Sequence, residues 1–252
     1  MANSNRGGDQ PGPGTPLGLM AFWANIEPGY LERFRAWHNM EHMCERVAIP
    51  GFVAGRRYVA MSGGGMSGEG MSGEGMSGGG MSNSPYFFMM YETEQPEVLG
   101  SEAYVAALDN PTPWTQESLQ NFRDPVRNVY SLITDHGSTD FATAPCMITV
   151  RFNAGERDPR DEDWPALSRT WGAARLRHYE IDLQIAGIET SERKIHGASP
   201  GAQRHLLLIE TDLPSALSSG GVEARLKEAM SGYADTLIDR YGIDYRLKSS
   251  PD

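Results

Sequence analysis

The 252-residue sequence contains only two cysteines, and neither belongs to a CxxC pair. Two cysteines cannot cross-link a chain of this size, so we expect a reducing, cytoplasmic setting. No run approaches the ~18 apolar residues of a membrane-spanning helix. The first 16 residues lack the apolar centre of a secretory signal, and we interpret residues 1–16 as a disordered leader.

Clustered positive charge is also scarce. The chain has 22 Lys and Arg against 33 Asp and Glu, for a formal net charge of −11. Affinity for nucleic acids depends largely on clustered cations. We therefore expect no nucleic-acid partner, and the lack of a long apolar run predicts no membrane partner. The chain is predicted to handle a small molecule, and a homo-oligomer is left open.

Glycine and methionine are abundant, but much of the excess lies in one segment. Residues 61–82 repeat MSGGG, MSGEG, MSGEG, MSGGG and MS. So little apolar surface cannot offset the entropy of ordering, which predicts a flexible loop. The repeat could act as a lid or tether a soft metal through its methionines, or it could be a duplicated loop without a role. No His or Cys accompanies them, which favours the second reading.

The remaining pattern predicts two similar halves. Hydrophobic spacing predicts the order βαββαβ twice. The first half has strands at 17–25, 52–61, 86–92 and 128–133, with helices at 28–47 and 95–122, the latter broken near Pro111 and Pro113. The second has strands at 146–153, 175–185, 204–211 and 243–248, with helices at 162–171 and 222–241. We assign 17–134 to module 1, 135–144 to a linker and 145–252 to module 2.

A sequence echo supports the duplication. Gly51-x4-Arg56-Arg57-Tyr58 is matched by Gly172-x4-Arg177-His178-Tyr179, each where the second strand of its module begins. Each four-stranded antiparallel sheet would carry helices on one face, and the other sheet is the simplest cover for its second face. The predicted fold is α+β, with two modules closing one pseudo-dimeric α/β barrel within the chain.

Candidate chemistry is concentrated on the first predicted helix. His38 and His42 stand at i and i+4 and so share a face, while Glu41 projects within the apolar stripe. Such a set could perform acid–base catalysis, with His42 as the acid–base and Glu41 orienting it. Alternatively, Glu41 forms a structural ion pair with Arg56 or Arg57, and His38 is a surface residue. Trp37 and Phe34 either pack in the core or form an aromatic surface that binds the substrate.

The same helix also matches a metal motif. His38-x-x-Glu41-His42 has the H-x-x-E-H pattern, in which two histidines bind zinc. A catalytic zinc needs a third protein ligand, and spacing singles out none of Glu97, Glu102 and Glu117. We therefore predict no metal site.

Arg56, Arg57 and Tyr58 alternate across the second strand, which brings at least one cation into a covered space. We assign Arg57 and Tyr58 to binding of a substrate carbonyl or carboxylate. Module 2 lacks a counterpart of the histidine motif, which predicts one site per chain, in module 1. Nucleotide-binding glycine motifs and a nucleophile elbow are absent. We predict no cofactor, although a single histidine would suffice for haem.

The segment from Trp37 to Tyr58 resembles the dimeric α/β-barrel superfamily of ferredoxin-like modules, in its EthD-like branch. The matching residues are Trp37, Glu41, His42, Glu45, Arg46, Pro50, Gly51, Phe52, Arg57 and Tyr58. The resemblance implies a small-molecule pocket with His42 as acid–base. The superfamily includes cofactor-free monooxygenases, cyclases, isomerases and haem enzymes.

Three functional hypotheses follow. The first is a cofactor-independent lyase, isomerase or cyclase in which His42 transfers a proton on a hydrophobic or aromatic metabolite. Its binding residues would be Trp37, His38, Arg57, Tyr58 and Phe34. The second is a cofactor-free monooxygenase of the same fold, and the third is a binding or stress-response protein without chemistry.

Overall fold

The computed structural model describes residues 12, 14–61, 85–139, 146–211 and 220–250. Nearly all of the predicted leader and of the predicted repeat loop lies outside these residues, as does the second half of the predicted linker. Within the described residues, no helix is both long and apolar enough to cross a membrane.

Eight antiparallel strands close into one barrel, in the order β1-β3-β2-β8-β5-β7-β6-β4. The strands are β1 (Gly18–Ile26), β2 (Phe52–Ala60), β3 (Phe87–Thr93), β4 (Phe122–Gly137), β5 (Cys146–Asn153), β6 (Arg175–Ile181), β7 (His205–Thr211) and β8 (Ala234–Lys248). Every residue of β3 and β7 is buried, because one face lines the barrel and the other lies under helices.

The helices pack outside the barrel. They are α1 (Leu31–Trp37), α2 (Met43–Val47), α3 (Glu102–Asp109), α4 (Pro113–Leu119), α5 (Trp164–Trp171), α6 (Leu183–Ala186), α7 (Ser191–His196) and α8 (Gly220–Ala229). The predicted break near Pro111 and Pro113 is confirmed: the Thr112 side chain caps α4 by accepting from the backbone N–H of Thr115. Proline at the first helical position favours the same start.

Two long strands join the modules. β4 pairs with β1 of its own module and with β6 of the other, and β8 likewise pairs with β5 and β2. The prediction of a helix at 222–241 is therefore wrong in its second half, and the strand predicted at 128–133 is too short. Closing the barrel requires strands that span both sheets, and this pairing overrides the local helical spacing after Ala229.

The predicted internal echo is confirmed inside the barrel. Arg56 and Arg177 both contact Glu92, and Arg177 also contacts Glu210. Glu92 and Glu210 also occupy matching positions in the two modules, since each precedes a threonine at the end of its strand. Although burial alone would raise it, the two guanidinium groups lower the pKa of Glu92 to about 2. The barrel interior therefore contains a compensated charge network.

Candidate functional site

The helix that carries the histidines is not regular. Its residues His38–His42 form a π-helical turn between α1 and α2. The wider turn shifts the buried face, so that Met43 is buried while Cys44 is exposed and Met40 is 73% exposed. The spacing of a regular helix would instead place Met40 and Cys44 on the apolar stripe with Trp37. Single π turns inside helices occur often at functional sites.

A cavity of about 40 Å³ lies between the outer face of the module 1 sheet and the helices over it. Its aromatic walls are Phe22, Trp37, Tyr91, Tyr104 and Phe122. Its titratable lining residues are His38, His42, Arg46, Arg127, Glu192, Arg193 and His196. A water molecule needs roughly 10–15 Å³ of such volume, so the cavity as it stands is large enough for only a few water molecules.

His38 and His42 line this cavity together. Their ring centroids are 5.7 Å apart, and the ring of Trp37 lies 4.4 Å from that of His42. The Nε2 atom of His38 lies 3.3 Å from the hydroxyl of Tyr91. The Nδ1 atoms of both histidines are buried without a hydrogen-bond partner in the part of the chain that the structure describes.

Both imidazoles are uncharged at neutral pH. Burial lowers the pKa of His38 well below its usual value, and Arg57 and Arg46 add to the effect. Burial likewise lowers the pKa of His42, with further contributions from Arg46, His38 and His196. The prediction of a surface position for His38 is wrong, since the residue is almost fully enclosed.

Glu41 points away from the cavity. Its carboxylate accepts hydrogen bonds from the hydroxyls of Thr112 and Thr115. The Thr115 hydroxyl in turn accepts from the indole N–H of Trp37, at 3.0 Å. Glu41 therefore reaches His42 only indirectly, through Thr115 and the Trp37 ring that packs on His42.

The predicted ion pair between Glu41 and a β2 arginine is wrong. Arg56 faces the barrel interior and pairs with Glu92 at 2.9 Å. Arg57 faces the helices and pairs with Asp244 at 2.7 Å. The alternation of side chains along a strand sends the two guanidinium groups to opposite faces, and each finds a carboxylate from another strand.

The structure does not bring the predicted binding residues Arg57, Tyr58 and Phe34 to the cavity. The Arg57 guanidinium lies 5.7 Å from the ring of Phe34 and is enclosed by neighbouring aromatic rings. Tyr58 faces the barrel interior, where its ring packs on Phe88 at 5.7 Å, and burial raises its pKa. Phe34 packs in the core beside Trp37 and Phe87.

Sequence reasoning missed the contribution of module 2. The short helix α7 lies over the module 1 cavity and supplies Glu192, Arg193 and His196 to its lining. Glu192 forms a buried ion pair with Arg46 of α2. Helix α7 has only six residues, too few for a hydrophobic period to be recognised. The one sequence signal is its cap, Thr190, whose hydroxyl accepts from the backbone N–H of Arg193.

His196 has a defined tautomer. Its Nδ1 atom accepts a hydrogen bond from the backbone N–H of Ala198, at 2.9 Å, so the proton of the neutral ring is on Nε2. Burial, with Arg127 and Arg193 nearby, lowers its pKa to about 3. His196 is therefore a neutral hydrogen-bond donor at the cavity.

Aromatic side chains fill the corresponding region of module 2. His178 lies among Phe152, Trp164 and His205, with its Nε2 atom 3.2 Å from Nδ1 of His205. Its neighbours in the stack are 5.3–6.2 Å away between ring centroids. The expectation of one site per chain, in module 1, remains a prediction.

Neither a metal nor haem is supported by the residues at the cavity. The described ranges contain no group of three or more His, Cys, Asp or Glu side chains placed to hold a metal ion. A porphyrin does not fit the cavity of about 40 Å³. We derive no chemical step through either group.

The closed barrel built from two βαββαβ modules has the fold of the dimeric α/β-barrel superfamily, here within one chain. No protein-family model matches the sequence, and no curated protein matches it. An anthrone oxidase-like protein has a similar structure, with a TM-score of 0.55, 7% identity and 94% coverage of both chains. A candidate monooxygenase from Fusobacterium nucleatum gives a TM-score of 0.50 at 5% identity, covering 93% of this chain and 96% of that one.

Such low identities establish a shared fold and nothing finer. The predicted fold and the resemblance to the superfamily are confirmed at that level. Assignment to the EthD-like branch stays a prediction.

Proposed function

We propose that the chain is a small-molecule enzyme in which the neutral imidazole of His42 accepts a proton from a flat hydrophobic or aromatic substrate. The observation that carries the proposal is the position of His42. It is buried and uncharged in an aromatic-walled cavity, and its Nδ1 atom lacks a protein partner among the described residues. A free base beside apolar walls suits abstraction of a proton from a carbon acid or a phenol.

The environment of His42 favours a reaction that creates negative charge. No carboxylate contacts its ring in the described part of the chain, so the imidazolium ion is unfavourable while no anionic ligand is bound beside His42. A substrate that loses its proton to His42 becomes the missing anion and stabilises the imidazolium. Neutral His196 can donate from Nε2 to the developing oxyanion. Lyase, isomerase and cyclase reactions can all begin with this step.

Glu41 has a positioning role in this proposal. It holds the Thr115 hydroxyl, which holds the Trp37 indole against the His42 ring. A substrate larger than a few atoms requires the cover of the cavity to move, and α7, with six residues, is a short element of that cover. Trp37 and His38 line the cavity, and in this proposal they serve as binding residues.

A cofactor-free monooxygenase is the second candidate. The specific observation in its favour is the similarity to an anthrone oxidase-like structure, together with a cavity that accommodates a molecule of the size of O₂. A substrate carbanion formed by His42 can itself react with oxygen. For anthrone the balanced change is anthrone plus O₂ giving anthraquinone plus water.

Anthrone is a suitable probe, because it is a flat aromatic carbon acid. Without oxygen and in deuterated buffer, proton abstraction exchanges its methylene hydrogens for deuterium, which NMR detects. In air, an oxygen electrode measures uptake above the uncatalysed background. The variants are His42→Ala and, as a matched control, His178→Ala, which removes a buried histidine of the other module.

We expect His42→Ala to slow the exchange by about 100-fold or more, the usual contribution of a general base, while His178→Ala leaves it nearly unchanged. Exchange without oxygen uptake supports the lyase or isomerase type, and uptake supports the monooxygenase. An unchanged rate in His42→Ala excludes His42 as the base. Binding of anthrone without exchange favours the third hypothesis, a protein that binds without chemistry.

A further inference from the structure

The cavity is positively charged although the chain is acidic. The protein has a formal net charge of −11. Among the cavity-lining residues there are three arginines, Arg46, Arg127 and Arg193, but one carboxylate, Glu192. The three histidines that line it have lowered pKa values and add no charge at neutral pH. A concentration of cations at one enclosed place in an acidic protein favours an anionic ligand.

Arg46 is the cation best placed to change partners. Its side chain is 2% exposed and that of Glu192 is 5% exposed, so their ion pair is almost completely removed from water. The guanidinium of Arg193, in contrast, is occupied by the backbone carbonyls of Ala186, Ile188 and Ala198. A buried guanidinium needs an anion, and for Arg46 that anion comes from another module.

The element that supplies this anion is a single short helix. Helix α7 has six residues, and the backbone N–H of Ser191 at its start donates to the carboxylate of Asp109, at 2.7 Å. The helix ends at His196 and is followed by Gly197, whose φ of 69° lies in the left-handed region that favours glycine. Displacing this one helix would remove Glu192 from Arg46 and widen the cavity at the same place.

We propose that the cavity binds a planar organic oxyanion, such as an aromatic carboxylate or an enolate, through Arg46, and that Glu192 occupies this position in the ligand-free protein. The guanidinium fork matches the two oxygens of a carboxylate. In a cavity widened by displacement of α7, the aromatic walls, which include Trp37, Tyr91 and Tyr104, can pack against the flat body of such a molecule. This inference names the substrate class of the proposed enzyme and to that extent rests on the proposed function.

Benzoate is the probe, and benzamide is its neutral match in size and shape. Affinities are measured by isothermal titration calorimetry for the wild type, for Glu192→Gln and for the double variant Arg46→Gln/Glu192→Gln. Glu192→Gln removes the competing carboxylate but keeps its shape. We expect it to bind benzoate about tenfold more tightly than the wild type, a difference of about 1.4 kcal/mol. Benzamide should show no such gain.

The double variant identifies the cation. With Arg46 also neutral, we expect the gain in benzoate affinity to disappear. Equal benzoate affinity in the single and double variants would overturn the proposal, as would equal gains for benzoate and benzamide. If Glu192→Gln does not fold, the test compares the wild type with the double variant. The proposal then requires that the wild type binds benzoate more tightly than benzamide and that the double variant does not.

Thermal unfolding provides a second readout. Glu192→Gln leaves a buried unpaired guanidinium, so benzoate should raise its melting temperature more than that of the wild type. These measurements involve no chemistry. A negative result in these binding measurements would refute the anion site but not the role of His42 as base. Absence of proton exchange with normal benzoate binding would refute the role of His42 but not the anion site.

Discussion

Replacing His178 with glutamine should make the stability of the protein less sensitive to acid. The imidazole is completely buried beside Phe152 and Trp164. Burial, with smaller contributions from His205 and Arg160, lowers its pKa from 6.5 to about 3. Glutamine is close in size and polar but does not titrate between pH 5 and 8, so the variant isolates the effect of the proton.

The magnitude follows from the two pKa values. Above pH 6.5 the histidine is neutral in both the folded and the unfolded chain, and its contribution to stability is fully present. Below pH 6.5 the unfolded chain binds a proton that the folded chain excludes until about pH 3. Each pH unit in this window lowers the free energy of unfolding by about 1.4 kcal/mol, so about 2 kcal/mol is lost by pH 5.

Urea unfolding followed by tryptophan fluorescence at pH 8, 7, 6 and 5 measures the effect. We expect the stability difference between His178→Gln and the wild type to move by about 2 kcal/mol in favour of the variant between pH 8 and pH 5. Phe152→Leu is the control, because it weakens the same cluster without removing a titratable group. Parallel pH profiles for the wild type and His178→Gln would refute the reasoning.

Two further substitutions test the packing around the barrel and the site. Arg177→Met should lower the free energy of unfolding by about 3 kcal/mol, because it removes the partner shared by Glu92 and Glu210; an unchanged urea midpoint would contradict this. Thr115→Val should cost about 1–3 kcal/mol, because it leaves the buried indole N–H of Trp37 without its acceptor. Thr115→Ser keeps the hydroxyl and should restore most of that loss in the same urea assay.

Much of the fold could be predicted from local pattern. In β1 and β3 both the odd and the even positions are apolar, which indicates strands that are covered on both faces. In the structure, both faces of these strands are buried. Pro111 and Pro113 mark the break between α3 and α4, because proline lacks the N–H that a helix interior requires. The echo of Arg56 in Arg177 identifies the duplication, and both residues meet Glu92 inside the barrel.

The ends of β4 and β8 could not be predicted in this way. After Ala229 the sequence keeps a helical spacing, yet residues from Ala234 onward pair with β5 and then with β2. The backbone groups of both sheets need partners at the boundary between modules, and only strands long enough to reach both sheets supply them. That requirement lies in the assembled barrel rather than in any local segment.

The sequence by itself determined that His38 and His42 share one helix face, and that the chain consists of two modules of one fold. Only the tertiary structure decided what surrounds the histidines. Side-chain alternation places Tyr58 inside the barrel, and the ion pair with Asp244 holds Arg57 outside the cavity. Threonine hydroxyls bind Glu41, and α7 of the second module covers the histidines. Ion pairs and hydrogen bonds depend on proximity in space rather than in sequence. Arg46 and Glu192, for example, form an ion pair although they are 146 residues apart in the chain.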